Sequence, residues 1–113
     1  MSVVRQGRAI ANSQDAIREA VQAHKAMAIL RLLDGDVLRG SANDQLLGTA
    51  LGLLGLRTSR AEVGELLDLL EREGAIHSSR TKELLVVQLK HHGQELARGL
   101  VIGEGIESPQ LDN

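Results

Sequence analysis

Apolar residues recur every three or four positions along the chain, a spacing that places them on one face of an α-helix. The first such stretch covers residues 13–33, where Asn12 or Ser13 can cap the helix, and the second covers residues 43–54, where Asn43 can do so. In the first, the repeating positions are Ile17, Ala20, Val21, His24, Met27, Ala28 and Leu32. In the second, they are Leu46, Leu47, Ala50, Leu51 and Leu54, which we expect to be buried.

A third stretch carries both a start and a stop signal for a helix. Ser59 stands three residues before Glu62, the spacing of a capping box in which each side chain accepts from the other residue's amide. Gly74 follows the last turn, where a left-handed residue ends a helix at little cost. The apolar positions between them are Val63, Leu66, Leu67 and Leu70. We predict a helix over 59–73, reached through a tight turn in which Leu56 packs into the core.

Two extended segments follow this helix, at residues 75–78 and 84–89. The polar run between them predicts the tip of a hairpin, formed by Ser79, Arg80, Thr81 and Lys82. Val37 and Leu38, after an acidic turn, are expected to form a short pairing segment. A last helix is predicted at 94–101, ended by the glycines at 103 and 105.

The domain organisation follows from these elements. Residues 1–12 are predicted to be a flexible arm, 13–102 the folded domain, and 103–113 a flexible acidic tail that holds the one proline. Gly48, Gly52 and Gly55 run along the second helix and its end, which we interpret as sites of close helix crossing. Each interior glycine costs roughly 1 kcal/mol in helix propensity.

The composition narrows the function classes. The chain has no Phe, Tyr or Trp, so it cannot stack bases as many single-strand and RNA binders do. It has no Cys, which excludes disulfides and thiolate zinc sites. No signal peptide is evident and the apolar runs are too short to span a membrane, so we expect a soluble cytoplasmic protein. A small core without aromatics fits an obligate dimer.

The segment LEREGAI at residues 70–76 resembles the junction of recognition helix and wing in winged helix-turn-helix proteins, in particular MarR-like and ArsR-like bacterial regulators. The basic run at 79–82 is similar to the wing tip of that family, and residues 89–97 to its exit from the wing. The implied fold is mostly α with a small β-hairpin (α+β). The ending Gly105-Ile106-Glu107-Ser108-Pro109 is also similar to that of small winged-helix proteins of Mu-like prophages.

The resemblance implies a DNA-binding, phage-encoded transcriptional regulator whose third helix enters the major groove. It places Thr58, Ser59, Arg60, Ala61, Glu62, Gly64 and Glu65 toward the groove. Arg57 and Arg60 flank a helix N-terminus, which itself favours phosphate, and Arg80 and Lys82 would contact backbone phosphate from the wing. Homodimers of this kind pair through terminal helices, here 14–33 and 94–101.

The charge of the third helix favours a different function. Residues 59–74 hold five acids and two arginines, a local charge of −3, and the whole chain carries −2. DNA binders usually present a basic face because phosphate neutralisation supplies much of their affinity. The alternative is a winged-helix protein-interaction module or phage adaptor that does not bind DNA. The orientation of Glu65 and Asp68 discriminates between the two.

Metal, cofactor and catalytic sites are not expected. His91 and His92 are adjacent, and neighbouring residues seldom bind one ion. His24 lies on an apolar stripe and is predicted to be a core or interface residue. No serine, histidine and acid combination, and no phosphate-binding glycine loop, indicates an enzyme.

Overall fold

The computed structural model describes residues 2–100, with side chains from residue 13 onward. The elements in chain order are α1 (Ser2–Asp34), β1 (Ser41–Asn43), α2 (Asp44–Leu53), α3 (Arg60–Arg72), β2 (Ile76–Thr81), β3 (Leu84–Leu89) and α4 (His91–Ala97). The three strands form one antiparallel sheet in the order β1-β3-β2. Helices α2 and α3 with the β2–β3 hairpin form a winged helix-turn-helix, which confirms the predicted fold class.

Helix α1 begins at Ser2, so the predicted start of the helix at Asn12 or Ser13 was wrong. Extending an existing helix adds a hydrogen bond per residue without a new nucleation step, and Ser or Asn alone does not stop it. The domain boundaries remain a prediction, and the tail at 103–113 lies outside the described residues.

Among the residues of α1 with described side chains, the ones that pack into the core lie from Lys25 onward. Residues 13–22 are all exposed, whereas Ala26, Met27, Ile29, Leu30 and Leu33 are buried. Ile17 and Val21 from the predicted stripe are 58% and 45% exposed, and His24 is exposed rather than a core residue. Residues 13–22 of α1 therefore place apolar side chains on the surface of the protein.

The core joins every helix to the sheet. Its further members are Leu47, Leu51, Val63, Leu66, Leu67, Leu70, Ala75, Ile76, Val87 and Leu96. The predicted buried face of α2 was correct for Leu47 and Leu51 but wrong for Leu46 and Leu54, which are 44% and 56% exposed. Leu56 packs against the core as predicted.

The glycines of α2 do not mark close crossings as predicted. A Cβ on Gly48 would meet Val63 Cγ2 at 3.7 Å, an ordinary contact, and one on Gly52 would meet nothing within 4 Å. Gly55 has a φ of 79° and serves the turn into α3. That turn needs the left-handed conformation that glycine adopts freely.

The start and end of α3 are as predicted. Ser59 is its N-cap and forms the full capping box with Glu62, and Gly74 follows the C-terminus at a φ of 76°. Asn43 caps α2 by accepting from the amide of Leu46 at 2.8 Å. Local side-chain chemistry thus determines where both helices of the motif begin.

The wing is longer than predicted. Ser79, Arg80 and Thr81 belong to β2, and the turn consists of Lys82 and Glu83, with Lys82 at a φ of 57°. The first strand lies at 41–43 instead of Val37 and Leu38. The segment before it turns sharply: the amide of Gly40 donates to the carbonyl of Leu33 at 2.7 Å, which leaves Val37 94% exposed.

Helix α4 starts at His91, directly after β3, and ends at Ala97, earlier than the predicted 94–101. Gly99 stops it at a φ of 77°, and the amide of Leu100 returns to the carbonyl of Glu95 at 2.9 Å. Asp34 at the end of α1 accepts from Arg98 Nε at 3.1 Å and from Gln94 Nε2 at 3.2 Å. These bonds fix α4 on α1.

Candidate nucleic-acid interface

Helix α3 lies at the surface with one face buried. Val63, Leu66, Leu67 and Leu70 point into the core. At 100° per residue, Ala61, Glu65, Asp68 and Arg72 fall on the opposite face, and all four are exposed. Glu65 and Asp68 therefore both face outward, on the surface that a recognition helix would present to a groove.

The residues that lead into α3 have internal partners. Thr58 Oγ1 donates to the carbonyl of Leu56 at 2.6 Å, and Ser59 Oγ accepts from the amide of Glu62 at 3.1 Å. Thr58 is half-buried, which further limits its reach. The hydroxyls of these two predicted contact residues thus hold the turn and the helix start.

The two carboxylate oxygens of Glu62 have different partners. Its Oε1 accepts from the amide of Ser59 at 3.4 Å, and its Oε2 lies 3.4 Å from Lys25 Nζ on α1. The hydrogen bond from the Ser59 amide and the nearby Lys25 charge hold the pKa of Glu62 below its usual value. The carboxylate is directed to α1, away from the outward face.

Arg60 connects α3 to the wing. Its Nη2 donates to the carbonyl oxygen of Glu83 in the wing turn at 3.2 Å. Arg57, Thr58 and Arg60 line an open cleft of about 730 Å³ together with Glu83 and Leu84 of the wing and residues of α2. The structure thus brings the predicted arginines of α3 and the wing turn together in one groove.

Three exposed cations surround α3 without internal partners. Among the residues with described side chains, Arg57, Arg80 and Lys82 are exposed, and their side chains make no hydrogen bond or ion pair within the described chain. Arg57 precedes α3, Arg80 lies on β2, and Lys82 stands at the wing turn. Because nothing in the described chain neutralises them, they can bind anions. Gly64, half-buried in α3, contributes no side chain.

The last turn of α3 is bonded to strand β2 of the wing. Ser78 Oγ donates to Glu71 Oε1, and this hydrogen bond lowers the pKa of the Glu71 carboxyl. Arg72 Nε donates to the carbonyl oxygen of Asp68 at 3.4 Å, at the edge of hydrogen-bonding distance. The outward face therefore carries two carboxylates and one arginine, and the flanking cations supply the positive charge.

The histidines of the described residues do not form a metal site with the nearby acids. No group of three or more His, Asp or Glu side chains there has a metal-binding arrangement. His91 and His92 each approach Glu95, at 3.8 and 3.7 Å. No helix between residues 2 and 100 combines the length and apolar character of a membrane span.

Sequence reasoning missed Lys25, whose side chain reaches the start of α3. The available signal was the position of Lys25 four residues after Val21, at the edge of the predicted apolar stripe, because a lysine is almost never buried unless it is paired. The partner could not be named, since Lys25 and Glu62 are 37 positions apart.

Comparison with known proteins shows a similarity of fold to one solved structure. No protein-family model matches the chain, and no curated protein matches it. The chain is similar to the solved structure of a double mutant of Lactococcus lactis ZitR in apo form, with 21% identity and a TM-score of 0.53. The match covers 87% of this chain and 69% of that one. At this identity, the similarity shows a shared winged-helix fold.

Proposed function

We propose that this chain is a winged-helix DNA-binding protein that acts as a transcriptional regulator, with α3 as its recognition helix. The observation that carries the proposal is the set of unpartnered cations, Arg57, Arg80 and Lys82, around an exposed α3. Phosphate contacts position such a protein on duplex DNA, and base contacts specify the site. The similarity to ZitR, a winged-helix regulator, adds support.

The site residues have three roles in this proposal. Arg57, Arg80 and Lys82 neutralise phosphates. Arg60 uses one of its five N–H donors on the wing turn and keeps the others for DNA. Thr58, Ser59 and Glu62 hold the start of α3, and Gly64 leaves room for the groove edge; these four shape the surface near the DNA. Base reading then falls to the outward positions, including Glu65, which can accept from cytosine N4.

We further propose that the protein acts as a homodimer through α1, with α4 contributing. Support comes from the exposed residues 13–22 of α1, which include Ile17 and Val21, and from Leu100 after α4, which is 69% exposed. Dimers present two recognition helices to successive major grooves. A phage origin is supported by the resemblance of residues 105–109, and the genes flanking its own should then encode phage proteins.

One observation favours a second function, a protein-interaction module that does not bind DNA. The outward face of α3 presents the carboxylates of Glu65 and Asp68, and Arg72 is the one basic side chain on that face. An acidic exposed face of this kind suits a basic protein partner better than phosphate. The fold alone does not choose between the two functions.

Duplex retention as a function of salt separates the two functions. We expect the protein to retain random duplex at about 50 mM salt. The logarithm of the binding constant should then fall linearly with the logarithm of the salt concentration. Substituting Arg57→Ala, Arg80→Ala or Lys82→Gln should each reduce the salt slope by about 1, whereas the control Lys90→Ala, at the far end of the hairpin, should leave it unchanged. No retention at micromolar protein would reject DNA binding in favour of the interaction module.

The dimer is tested on the same preparations. Sedimentation of the full chain should give the mass of two copies, and Val21→Asp should shift it to one copy because a charge replaces an apolar contact. Gln22→Asp, one position along the same exposed helix, is the matched control. A wild-type chain of monomer mass would reject the dimer without bearing on duplex retention.

A further inference from the structure

Lys25 is the one charged residue that is buried in the described part of the chain, with 8% of its surface exposed. A buried ammonium group needs partners because it has lost its water. Its Nζ donates to the carbonyl oxygen of Arg57 at 3.0 Å and lies 3.4 Å from Glu62 Oε2. Arg57 lies in the turn before α3 and Glu62 in its first turn, so both described partners of Lys25 belong to the chain around the N-terminus of α3.

Lys25 stands where α1 changes from exposed to buried. Residues 13–22 before it are exposed, and Ala26 and Met27 after it are in the core. The buried part of α1 therefore begins at the residue whose side chain bonds to the chain around the start of α3.

The contact continues into the capping box. Glu62 meets Lys25 with one carboxylate oxygen and the amide of Ser59 with the other. On its other side, α3 is held to the wing by Arg60 and Glu71. Loss of the Lys25 ammonium would release the start of α3 from α1 while the wing contacts keep the helix in place.

We propose that Lys25 is a positioning residue that links α1 to the start of α3 and thereby sets how α3 is presented to DNA. The link itself concerns the free protein, and its effect on DNA rests on the proposed function. Lys25 need not touch DNA for this role: it acts through the carbonyl of Arg57 and through the carboxylate of Glu62. Its effect is therefore on the geometry of the interface and leaves the number of phosphate contacts unchanged.

Amide hydrogen exchange in the full chain tests the link. The variant Lys25→Met keeps the apolar stem and removes the charge, and Lys90→Met removes the same charge from an exposed position whose side chain has no bond in the described residues. In Lys25→Met, we expect exchange at the amides of Glu62 and Val63 to accelerate about tenfold while the amides of the buried half of α1 keep their rates. A role in overall stability alone would instead raise all rates together.

Duplex retention tests the consequence. Lys25→Met should weaken retention about tenfold at fixed low salt with an unchanged salt slope, and Lys90→Met should match the wild type. If the amides of Glu62 and Val63 in Lys25→Met exchange at the wild-type rate, the link is overturned. Faster exchange with unchanged retention would overturn its effect on DNA. If the wild type binds no duplex, the proposed function fails and the exchange result still decides the link.

A second variant covers the case in which Lys25→Met does not fold. Glu62→Gln keeps an oxygen that accepts from the Ser59 amide but removes the charge that faces Lys25. We expect the same local acceleration at Glu62 and Val63, smaller than in Lys25→Met because the bond from Lys25 to the Arg57 carbonyl remains. Unchanged exchange in Glu62→Gln would overturn the part of the link that runs through the carboxylate.

Discussion

The carbonyl oxygen of Ala75 lies so close to Gly93 that a Cβ atom on Gly93 would stand 2.1 Å from it. The same oxygen accepts a hydrogen bond from the amide of Lys90 at 2.9 Å, which holds it in position. Helix α4 thus packs against the start of the wing through backbone on both sides. Only glycine allows this approach, and both residues are buried.

Gly93→Ala should lower the free energy of unfolding by about 3 kcal/mol, because fixed backbone atoms must move to admit the methyl group. Urea unfolding measures it. The matched control is Gly64→Ala in the interior of α3, where a Cβ would meet no atom within 4 Å. This change should raise stability by about 0.5–1 kcal/mol through helix propensity. Equal stability of Gly93→Ala and the wild type would contradict the close approach.

The contrast between these glycines shows what the sequence could predict. The caps of α2 and α3 and the glycine stop at Gly74 were predicted correctly, since they depend on side chains within a few residues of one another. The tight contact at Gly93 was not predictable, because it depends on where Ala75 lies in space. The predicted close crossings along α2 were wrong for the same reason.

The candidate site shows the same division. Its arginines and lysine could be identified from the order of helix and hairpin, which local patterns specify. The wing turn was misplaced because Arg80 and Thr81 pair with Leu85 and Leu84, a register that polar residue types alone do not indicate. The contact of Lys25 with Glu62 required the packing angle of α1 on α3, which no sequence period encodes.

Ser59→Ala should lower the free energy of unfolding by about 1 kcal/mol, because it removes the acceptor for the amide of Glu62 at the start of α3. Thermal or urea unfolding of the two proteins measures the difference. Ser79→Ala, an exposed change on β2 at a hydroxyl without a bond in the described chain, should stay within about 0.5 kcal/mol of the wild type. A Ser59→Ala protein as stable as the Ser79→Ala protein would argue against the capping box.

Asp34 should make the fold sensitive to acid. The hydrogen bond from Arg98 lowers the pKa of Asp34 below its ordinary value of 3.8, burial opposes this, and the bond from Gln94 supports it. A carboxyl whose folded pKa is lowered stabilises the fold fully above its unfolded pKa, and this stability is lost as pH falls through the folded pKa.

Unfolding free energies measured from pH 7 down to about pH 2 test this prediction. Asp34→Asn should be less stable than the wild type at pH 7, and the gap should close below about pH 3. Arg98→Gln should give a similar profile, and the double variant should add little, because both changes remove one interaction. Glu62 and Glu71, whose pKa values are also lowered, leave a remaining acid dependence in all variants. A constant gap across this range would show that Asp34 does not titrate against Arg98.

The outward carboxylates of α3 offer the sharpest discrimination between the two functions. If α3 approaches DNA, each of Glu65 and Asp68 repels phosphate, by about 0.7 kcal/mol at roughly 6 Å in water. Glu65→Gln with Asp68→Asn should then strengthen retention on random duplex about tenfold. The control Asp36→Asn removes one acid from the exposed turn after α1 and should have little effect.

Selection of preferred duplex sequences adds a second readout to this experiment. If Glu65 reads cytosine N4, the double variant should gain affinity for random duplex while its preference for the selected site declines, since glutamine pairs with adenine instead. Unchanged retention in the double variant would mean that this face does not approach DNA. The acidic face would then be the surface for a basic protein partner, and the cations of the wing would have no duplex to bind.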